Sequence, residues 1–269
     1  MPMNMMKRLK ECDLFLFDGD GTLYLGDRPF DFTRELLQTI HSHGKRYMFM
    51  TNNSSKSVKD YVKKYERMGI PAREEDFITS SQATAHYLHA HHEGLTLYVC
   101  GTTSFKEELR QAGFTVSEQP GEAQCIVLGF DTELTFQKLH DVSFLLCTKD
   151  LPYVASHPDY VCPTEFGSVP DCGSVIDMLF AATGKRPYIV GKPEPLMPQL
   201  AMQRVLCSPE RTAVIGDRIY TDVKCGLNAE CLSVLVMSGE TDEQALHASP
   251  DRPDVVLSDA GEILSLFPH

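Results

Sequence analysis

The chain has 269 residues, of which 42% are hydrophobic and 23% are charged, and its formal net charge at pH 7 is −12. These proportions are ordinary for a globular protein and allow one large domain or two smaller ones. The negative charge argues against a nucleic-acid-binding surface and against binding to anionic membranes, since both need clustered basic residues.

The start of the chain and its cysteines indicate the compartment. Residues 1–10 lack the apolar segment of a secretory signal, and no apolar stretch approaches the roughly 20 residues that a membrane helix requires. The nine cysteines contain no Cys-x-x-Cys pair, so they are interpreted as small hydrophobic side chains rather than as a zinc or disulfide set. We therefore expect a soluble, reduced, cytoplasmic protein.

The first predicted strand is buried, and two acids follow it directly in the sequence. Residues 14–17 are all apolar, and residues 18–22 follow as Asp-Gly-Asp-Gly-Thr. Two carboxylates one residue apart repel each other unless a cation lies between them, and Mg²⁺ prefers oxygen ligands of this kind. An EF-hand is excluded, because Leu23 and Pro29 stand where that pattern needs glycine and glutamate. An acidic turn that caps a helix is the alternative.

Short apolar runs alternate with helix-length amphipathic segments along the whole chain. The apolar runs cover residues 14–17, 46–50, 95–100, 125–130, 153–155, 188–190, 212–215, 232–237 and 254–257. Apolar residues at helical spacing predict helices over 32–43 and 58–68, and Ser54, Ser55 and Ser57 can cap the second. Such alternation predicts an α/β fold with a parallel sheet.

Strands that end in glycine and polar side chains occur near both ends of the chain but not in its middle. These strand ends are followed by residues 18–22, 51–53, 191–195 and 216–222. The middle has strands and helices of its own, so we predict a domain inserted into a discontinuous core. The predicted domains are 1–80 for the first part of the core, 81–185 for the inserted domain and 186–269 for the second part of the core.

Polar residues follow the second strand of the predicted core. They are Thr51, Asn52, Asn53 and Ser54, and a predicted helix begins soon after them. The free N–H groups at a helix N-terminus favour an anion, so this motif is typical of phosphate binding. A simple polar helix cap explains the same residues equally well.

Two later motifs also come directly after predicted strands. Lys192 lies between glycine and proline on a short loop, where it is either held in place or an ordinary surface lysine. Gly216 and Asp217 end another buried strand, and Asp222 follows five residues later. Because all four motifs fall at strand ends of one sheet, four unrelated caps are a poor explanation for them.

Taken together, the four motifs resemble those of the haloacid dehalogenase superfamily of phosphotransferases. Residues 18–22 match its first motif, Thr51 its second, Lys192 its third, and residues 216–222 its fourth. The stretches 51–54, 191–195 and 216–222 are similar to the NagD-like, p-nitrophenylphosphatase-type branch, which carries its large cap between the second and third motifs. The spacing agrees, since Thr51 follows Asp18 by 33 positions and Lys192 follows Thr51 by 141.

This resemblance implies a fold, a cofactor and a reaction. The implied fold is a Rossmann-like parallel sheet core, the HAD fold, with an inserted α/β cap domain. The implied cofactor is Mg²⁺, and the implied reaction is hydrolysis of a phosphate monoester of a small metabolite through an aspartyl-phosphate. Sugar phosphates and nucleoside monophosphates are typical substrates of the branch, and a homodimer through the cap is common in it.

The resemblance also implies a role for each core motif. Asp18 would be the nucleophile, and Asp20 would protonate the leaving group and then activate water. Thr51, Asn52, Asn53 and Lys192 would bind the phosphoryl group, with Lys192 offsetting the crowded negative charge. The residues implied for the metal site are Asp18, Asp20 through its main-chain carbonyl, Asp217, and Asp222 through a metal-bound water.

Substrate contacts from the inserted domain are expected in its loop-rich stretch, 156–173. The candidates are His157 and Asp159, with residues 171–174 nearby in the sequence. Members of the branch commonly have asparagine at the position of His157. A histidine there either binds a second anionic group of the substrate or only packs.

Four further histidines lie on or just after one predicted helix, and they are His86, His89, His91 and His92. Histidines three residues apart can bind a metal, but no fourth ligand is spaced to complete a site, and a helix C-terminus favours histidines through its dipole. A zinc site there is the less favoured interpretation.

Two alternatives to a phosphatase stay open. A phosphotransferase or phosphomutase would pass the phosphoryl group from Asp18 to a sugar, although mutases of this superfamily usually carry the cap between the first two motifs. A non-catalytic protein that binds a phosphorylated metabolite would be expected to have lost one of the acids, and none is missing. A dehalogenase is disfavoured because those relatives lack the second acid, which is present here as Asp20.

Overall fold

The structure, a computed structural model, describes residues 3–164 and 166–267. Its strands are β1 (Leu14–Phe17), β2 (Tyr24–Leu25), β3 (Arg28–Pro29), β4 (Arg46–Thr51), β5 (Phe77–Thr79), β6 (Leu97–Cys100), β7 (Cys125–Leu128), β8 (Tyr153–Ala155), β9 (Val161–Thr164), β10 (Gly167–Pro170), β11 (Tyr188–Ile189), β12 (Thr212–Gly216), β13 (Leu232–Val236) and β14 (Val255–Leu257). Its α-helices are α1 (Met3–Glu11), α2 (Thr33–Ser42), α3 (Val58–Arg67), α4 (Ser80–His91), α5 (Thr103–Gln111), α6 (Phe136–Thr148), α7 (Cys172–Thr183), α8 (Leu196–Val205), α9 (Lys224–Asn228) and α10 (Glu243–Ala248).

Six strands form the larger sheet, in the order β14-β13-β12-β1-β4-β5. Strand β1 lies between β12 and β4 and runs parallel to both, with Phe17 opposite Ile215 and Phe49. The carboxyl ends of these three strands therefore lie side by side at one edge of the sheet, where α/β proteins carry their binding sites. This register brings the residues that follow Phe17, Met50 and Ile215 to the same place.

Apolar burial explains why β1 occupies the centre of this sheet. All four of its residues are buried, as a strand covered on both faces requires. Phe49 on the neighbouring strand packs against Tyr65 of α3 and Phe77 of β5, with ring centroids 4.6 and 5.1 Å apart. These contacts fix α3 on the sheet near the end of β1.

The smaller parallel sheet has four strands in the order β11-β8-β7-β6. Its core is formed by apolar side chains from these strands together with α6 and α7, including Ile126, Leu128, Leu145 and Ile176. A two-stranded antiparallel hairpin, β9 and β10, follows β8 directly and leads into α7.

The chain divides into two compact units. The first unit consists of three segments, which are the chain up to Thr51, Lys59–Ile78, and the chain from Lys192 onward. The second unit consists of Asn52–Val58 and Thr79–Gly191. The second unit contains the whole of the predicted inserted range, 81–185. Its function as a cap stays a prediction. No helix of the described chain is long and apolar enough to cross a membrane.

The predicted α/β class and parallel sheet are confirmed, and a strand occurs in each of the nine predicted apolar runs. The hairpin β9–β10 was not predicted, because its residues are mostly exposed and include Pro163 and Pro170. Proline is tolerated in such edge strands, although it is a poor signal for a strand in a sequence.

Candidate active site

Three acids from two separate motifs meet at the carboxyl end of the larger sheet. Asp18, Asp217 and Asp222 each place a carboxylate oxygen within 4.8 Å of the other two. The backbone N–H of Asp18 donates to Ile215 O at 2.8 Å, which ties the end of β1 to the end of β12. Asp217 and Asp222 are buried, whereas the Asp18 side chain is 17% exposed. Asp18 is therefore the acid of this cluster that solvent reaches.

Lys192 is the cation of this cluster. Its Nζ donates to Asp18 Oδ1 and to Asp222 Oδ1, both at 2.6 Å, and to Met50 O at 3.3 Å. Burial alone would lower the pKa of Lys192, but the two carboxylates outweigh it and raise the pKa above its ordinary value. The lysine is thus a fixed positive charge between the two motifs rather than a surface lysine.

Burial and neighbouring negative charge act together on Asp217 and Asp222. Burial, followed by the charges of Asp18 and Asp222, raises the pKa of Asp217 to about 8. Burial also raises the pKa of Asp222 to about 6, although Lys192 opposes this shift. Burial is the larger cause of both shifts, and the negative charge of the neighbouring acids adds to it.

A divalent cation fits this group of side chains. Oδ1 of Asp217 is buried without a hydrogen-bond partner among the described residues. A buried carboxylate oxygen without a donor is costly, and a hard cation with oxygen ligands would satisfy it. The cluster offers oxygen donors from Asp18, Asp217 and Asp222, which is the donor type that Mg²⁺ prefers.

Two glycines allow the backbone to approach Asp217 closely. A Cβ at Gly21 would lie 2.4 Å from Asp217 Oδ2, and Gly21 has a φ of +79°, which favours glycine. A Cβ at Gly239 would lie 2.1 Å from the same oxygen. Both distances are far shorter than atomic contact permits.

Substitution of Gly239 by alanine should therefore lower the free energy of unfolding by about 2 kcal/mol, because the new methyl group overlaps the Asp217 carboxylate. Chemical denaturation measures this change. Gly121→Ala is the matched control, since nothing lies within 4 Å of a Cβ there; its effect should stay within about 0.5 kcal/mol. Equal losses in the two variants would contradict the close approach at Gly239.

A loop that was not predicted from the sequence, residues 238–240, holds these motifs together. Ser238 Oγ donates to Gly21 O at 2.6 Å, and the backbone N–H of Glu240 donates to Asp217 Oδ2 at 2.7 Å. The Glu240 carboxylate in turn binds Arg218, whose Nε lies 2.8 Å away. The loop follows the predicted strand 232–237 and contains glycine and polar residues, so the pattern that identified the other strand ends also applies to it.

Asp20 lies outside the cluster of three carboxylates. Its side chain is partly buried, and burial raises its pKa although the nearby Lys64 opposes this shift. The backbone N–H of Gly26 lies 3.5 Å from Oδ1 and makes only a weak contact with it. A carboxyl group with a raised pKa holds its proton more readily than an exposed aspartate.

The polar residues after β4 lead into helix α3 and make contacts of their own. Helix α3 begins at Val58, directly after Ser57, and the Val58 N–H donates to Glu108 Oε1 at 3.0 Å. Ser54 Oγ accepts from Phe130 N at 2.9 Å, and Asn53 Oδ1 accepts from Ser55 N. Thr51 ends β4, next to Met50, whose carbonyl binds Lys192.

The second unit holds another group of potential ligands, formed by His157, Asp159 and Asp171. Asp159 Oδ1 accepts from Asn52 Nδ2 at 3.0 Å, so two of the residues predicted to bind substrate contact each other. His157 has no exposed surface, and Asp159 is 6% exposed. Their role as substrate contacts stays a prediction.

The histidines near the end of α4 make local contacts. His89 Nε2 lies 2.8 Å from Ala112 O, and His91 stacks on Tyr87 with ring centroids 4.3 Å apart. Neither they nor His86 and His92 belong to a potential metal group within the described chain.

Comparisons with known proteins agree on one family. A model described as haloacid dehalogenase-like hydrolase matches residues 15–115, and one described as HAD-hydrolase-like matches residues 189–263. The acid sugar phosphatase of Staphylococcus haemolyticus is 29% identical over 96% of this chain and 97% of its own. The 5′-nucleotidase YutF of Bacillus subtilis is 30% identical over 89% and 92%.

Solved structures show the same relationship. The 4-nitrophenylphosphatase from Thermotoga maritima has a TM-score of 0.91 and is 37% identical, over 96% of this chain and 98% of its own. NagD from E. coli K-12 has a TM-score of 0.84 and is 25% identical, over 93% and 98%. A glycerol phosphate phosphatase from Mycobacterium tuberculosis, solved in complex with calcium, has a TM-score of 0.87 and is 28% identical, over 95% and 76%.

Proposed function

Because the chain belongs to the haloacid dehalogenase-like hydrolases, in the NagD-like branch, we propose that it hydrolyses phosphate monoesters of small metabolites. The observation that carries this proposal is the arrangement of Asp18 at the end of β1. Its carboxylate is partly exposed, Lys192 holds one of its oxygens at 2.6 Å, and two buried acids lie beside it. A carboxylate fixed in this way can attack phosphorus.

The reaction would take place in two steps. An oxygen of Asp18 bonds to phosphorus as the ester bond to the leaving oxygen breaks, and Asp20 gives that oxygen its proton. Asp20 then takes a proton from water, which attacks the aspartyl-phosphate and releases inorganic phosphate and free Asp18. The raised pKa of Asp20 suits the first of these transfers.

We assign the phosphoryl contacts to Thr51, Asn52, Asn53 and Lys192. Lys192 would oppose the repulsion between Asp18 and the incoming phosphate, since phosphoryl transfer depends mainly on positioning and electrostatics. Asp222 contributes by holding Lys192, through the second 2.6 Å contact. Asp217 and Asp18, with the main-chain carbonyl of Asp20, would hold Mg²⁺, and Asp222 would act on the ion through water. When bound, the ion would neutralise charge on the phosphate and on these acids.

We propose that the second unit is the cap that selects the substrate in a cytoplasmic enzyme. The relatives named above are an acid sugar phosphatase, a 5′-nucleotidase, a glycerol phosphate phosphatase and 4-nitrophenylphosphatase. Their names support a phosphorylated sugar, polyol or nucleoside as the substrate class. A panel of metabolite phosphates, with released phosphate as the readout, would select among them.

The basic test uses purified protein, Mg²⁺ and p-nitrophenyl phosphate. Release of nitrophenol together with an equal amount of inorganic phosphate is the expected result. Phosphate that appears on an added sugar instead would indicate a phosphotransferase. The absence of turnover on this ester and on the whole panel would favour a binding protein.

Removal of divalent metal should abolish the activity, and Mg²⁺ should restore it, because Asp217 and its neighbours need a cation to offset their repulsion. Thermal denaturation gives a readout independent of activity. Mg²⁺ should raise the midpoint temperature of the wild-type protein, as a ligand of the folded state does, and raise that of Asp217→Asn much less. Full activity after chelation would contradict this assignment.

Asp20→Asn should lower kcat by about 10³-fold for an alkyl phosphate, because the leaving alkoxide then lacks its proton donor. Formation of the phosphoenzyme from p-nitrophenyl phosphate should fall less, since nitrophenolate leaves without a proton. Rapid-quench kinetics with both esters measure this difference. Asp27→Asn is the control, because Asp27 lies in the same loop region and is 83% exposed. An equal slowing of this step for both esters would contradict the role of Asp20.

A further inference from the structure

His157 is an unusual buried group within the second unit. Its side chain has no exposed surface, and neither ring nitrogen has a hydrogen-bond partner among the described residues. Yet Nδ1 lies 3.6 Å from Asp159 Oδ2, and Nε2 lies 3.6 Å from Asp171 Oδ1. The ring therefore lies between two buried carboxylates, one facing each nitrogen.

This arrangement restricts the proton content of the ring. A neutral imidazole has one N–H and one bare nitrogen, and the bare nitrogen would face a carboxylate lone pair. When both acids are ionised, only the imidazolium presents an N–H to both Asp159 and Asp171. It also supplies the positive charge that two buried carboxylates need close to them.

Both carboxylates have second contacts that connect the ring to the rest of the unit. Asp159 Oδ1 accepts from Asn52 Nδ2 at 3.0 Å. Asp171 caps α7, because its Oδ1 accepts from Cys172 N at 2.5 Å. The loop that carries His157 also packs tightly on the start of this helix, where Gly173 N donates to Asp159 O at 2.8 Å.

The same loop contacts both ends of the second unit. Gly191 N donates to Ser156 O at 2.8 Å, and a Cβ at Gly191 would lie 2.7 Å from Asn52 Oδ1 and 3.3 Å from His157 Cβ. Asn52 and Gly191 are the first and last residues of this unit. In the chain they are bonded directly to Thr51 and Lys192.

We propose that His157 is a positioning residue: a buried imidazolium that joins Asp159 to Asp171 and thereby fixes Asn52 and Gly191. It does not contact the substrate. The effect of this network on turnover rests on the proposed function, whereas the protonation of the ring does not. A metal ion bound by the same three side chains is the competing explanation, but an ion on one nitrogen would leave the other carboxylate contact unexplained.

The first arm of the test observes the ring directly. Protein labelled with ¹⁵N-histidine gives side-chain correlation spectra at neutral pH, and His157→Asn identifies the His157 signal by its loss. If that variant does not fold, Asp171→Asn identifies it by its shift. We expect two protonated ring nitrogens. A neutral ring, or a stoichiometric transition metal in the purified protein by mass spectrometry, would overturn the proposal.

The second arm is a double-mutant cycle between His157→Asn and Asp171→Asn. Asparagine caps a helix about as well as aspartate, so Asp171→Asn removes the charge and keeps the cap of α7. Each single variant should lower the midpoint temperature by several degrees, and the double variant should lose clearly less than the sum. Additive losses would contradict a charge pair.

The third arm separates positioning from substrate contact. His157→Asn should lower kcat for p-nitrophenyl phosphate by about tenfold and leave KM within about twofold, since misplacement of reacting groups acts on the chemical step. A raised KM with unchanged kcat would show a substrate contact and overturn the proposal. If the wild-type protein lacks phosphatase activity, the proposed function fails, while the first two arms still decide the state of His157.

Discussion

Replacement of Asp18 by asparagine should reduce turnover by about 10⁵-fold, the loss typical of a removed covalent nucleophile. The amide is nearly the same size as the carboxylate, but its oxygen is a poor nucleophile towards phosphorus. The fold should survive, because the substitution also removes one of three mutually repelling acids. Steady-state kinetics and circular dichroism on the same preparation test both statements.

Asp13→Asn provides the matched control for that variant. Asp13 lies just before β1, at the opposite end of the strand, where its carboxylate forms a bidentate pair with Arg211 at 2.8 Å. The pair is about half exposed, so its loss should cost no more than about 1 kcal/mol and leave turnover unchanged. Near-normal activity in Asp18→Asn, or an equal loss in both variants, would contradict the nucleophile assignment.

Lys192→Met should reduce both stability and turnover. Asp222 then loses the charge that opposes its burial, and removal of one partner from a buried ion pair costs about 3–5 kcal/mol. Turnover should fall by about 10³-fold, because Lys192 also holds the attacking Asp18 and opposes the charge of the phosphate. Chemical denaturation and kinetics separate the two effects.

Lys138→Met separates general destabilisation from the loss at the site. Lys138 forms a comparable pair with the buried Asp131, 2.7 Å away, in the second unit. Its removal should lower the free energy of unfolding but leave kcat unchanged at a temperature where the protein stays folded. Equal kcat values for the two lysine variants would contradict a catalytic role for Lys192.

Local sequence pattern was sufficient to predict the core and the strand ends. The run before Asp18 is apolar at every position, which requires a strand buried on both faces, and the acids after it resist burial. Because parallel strands place their carboxyl ends at one edge, the motifs at Thr51 and Asp217 could be expected near Asp18. The structure brings Asp217 to Asp18. It also brings Lys192 there, but the prediction of one sheet was wrong for this motif, because β11, the strand before Lys192, belongs to the smaller sheet.

Contacts between residues far apart in the chain could not be predicted in this way. The Glu240 N–H donates to Asp217 across 23 positions, and the Ser238 hydroxyl donates to Gly21 across 217. The strand end before this loop has a local pattern, but the partners of Ser238 and Glu240 do not. The role of His157 was equally ambiguous in the sequence, because its surroundings depend on how α7 packs against the loop that carries His157. Burial of a polar side chain is decided by such tertiary contacts rather than by its own sequence neighbours.

Chemical trapping of the phosphoenzyme tests most directly whether Asp18 forms the covalent intermediate. The protein is mixed with p-nitrophenyl phosphate and Mg²⁺, quenched in acid during turnover, and reduced with borohydride, which converts an aspartyl-phosphate to homoserine. Peptide mass spectrometry then locates the modified residue, with Asp18→Asn as the blank. We expect homoserine at position 18 and at no other acid. An unmodified Asp18 under conditions of steady turnover, or modification of a different residue, would contradict it.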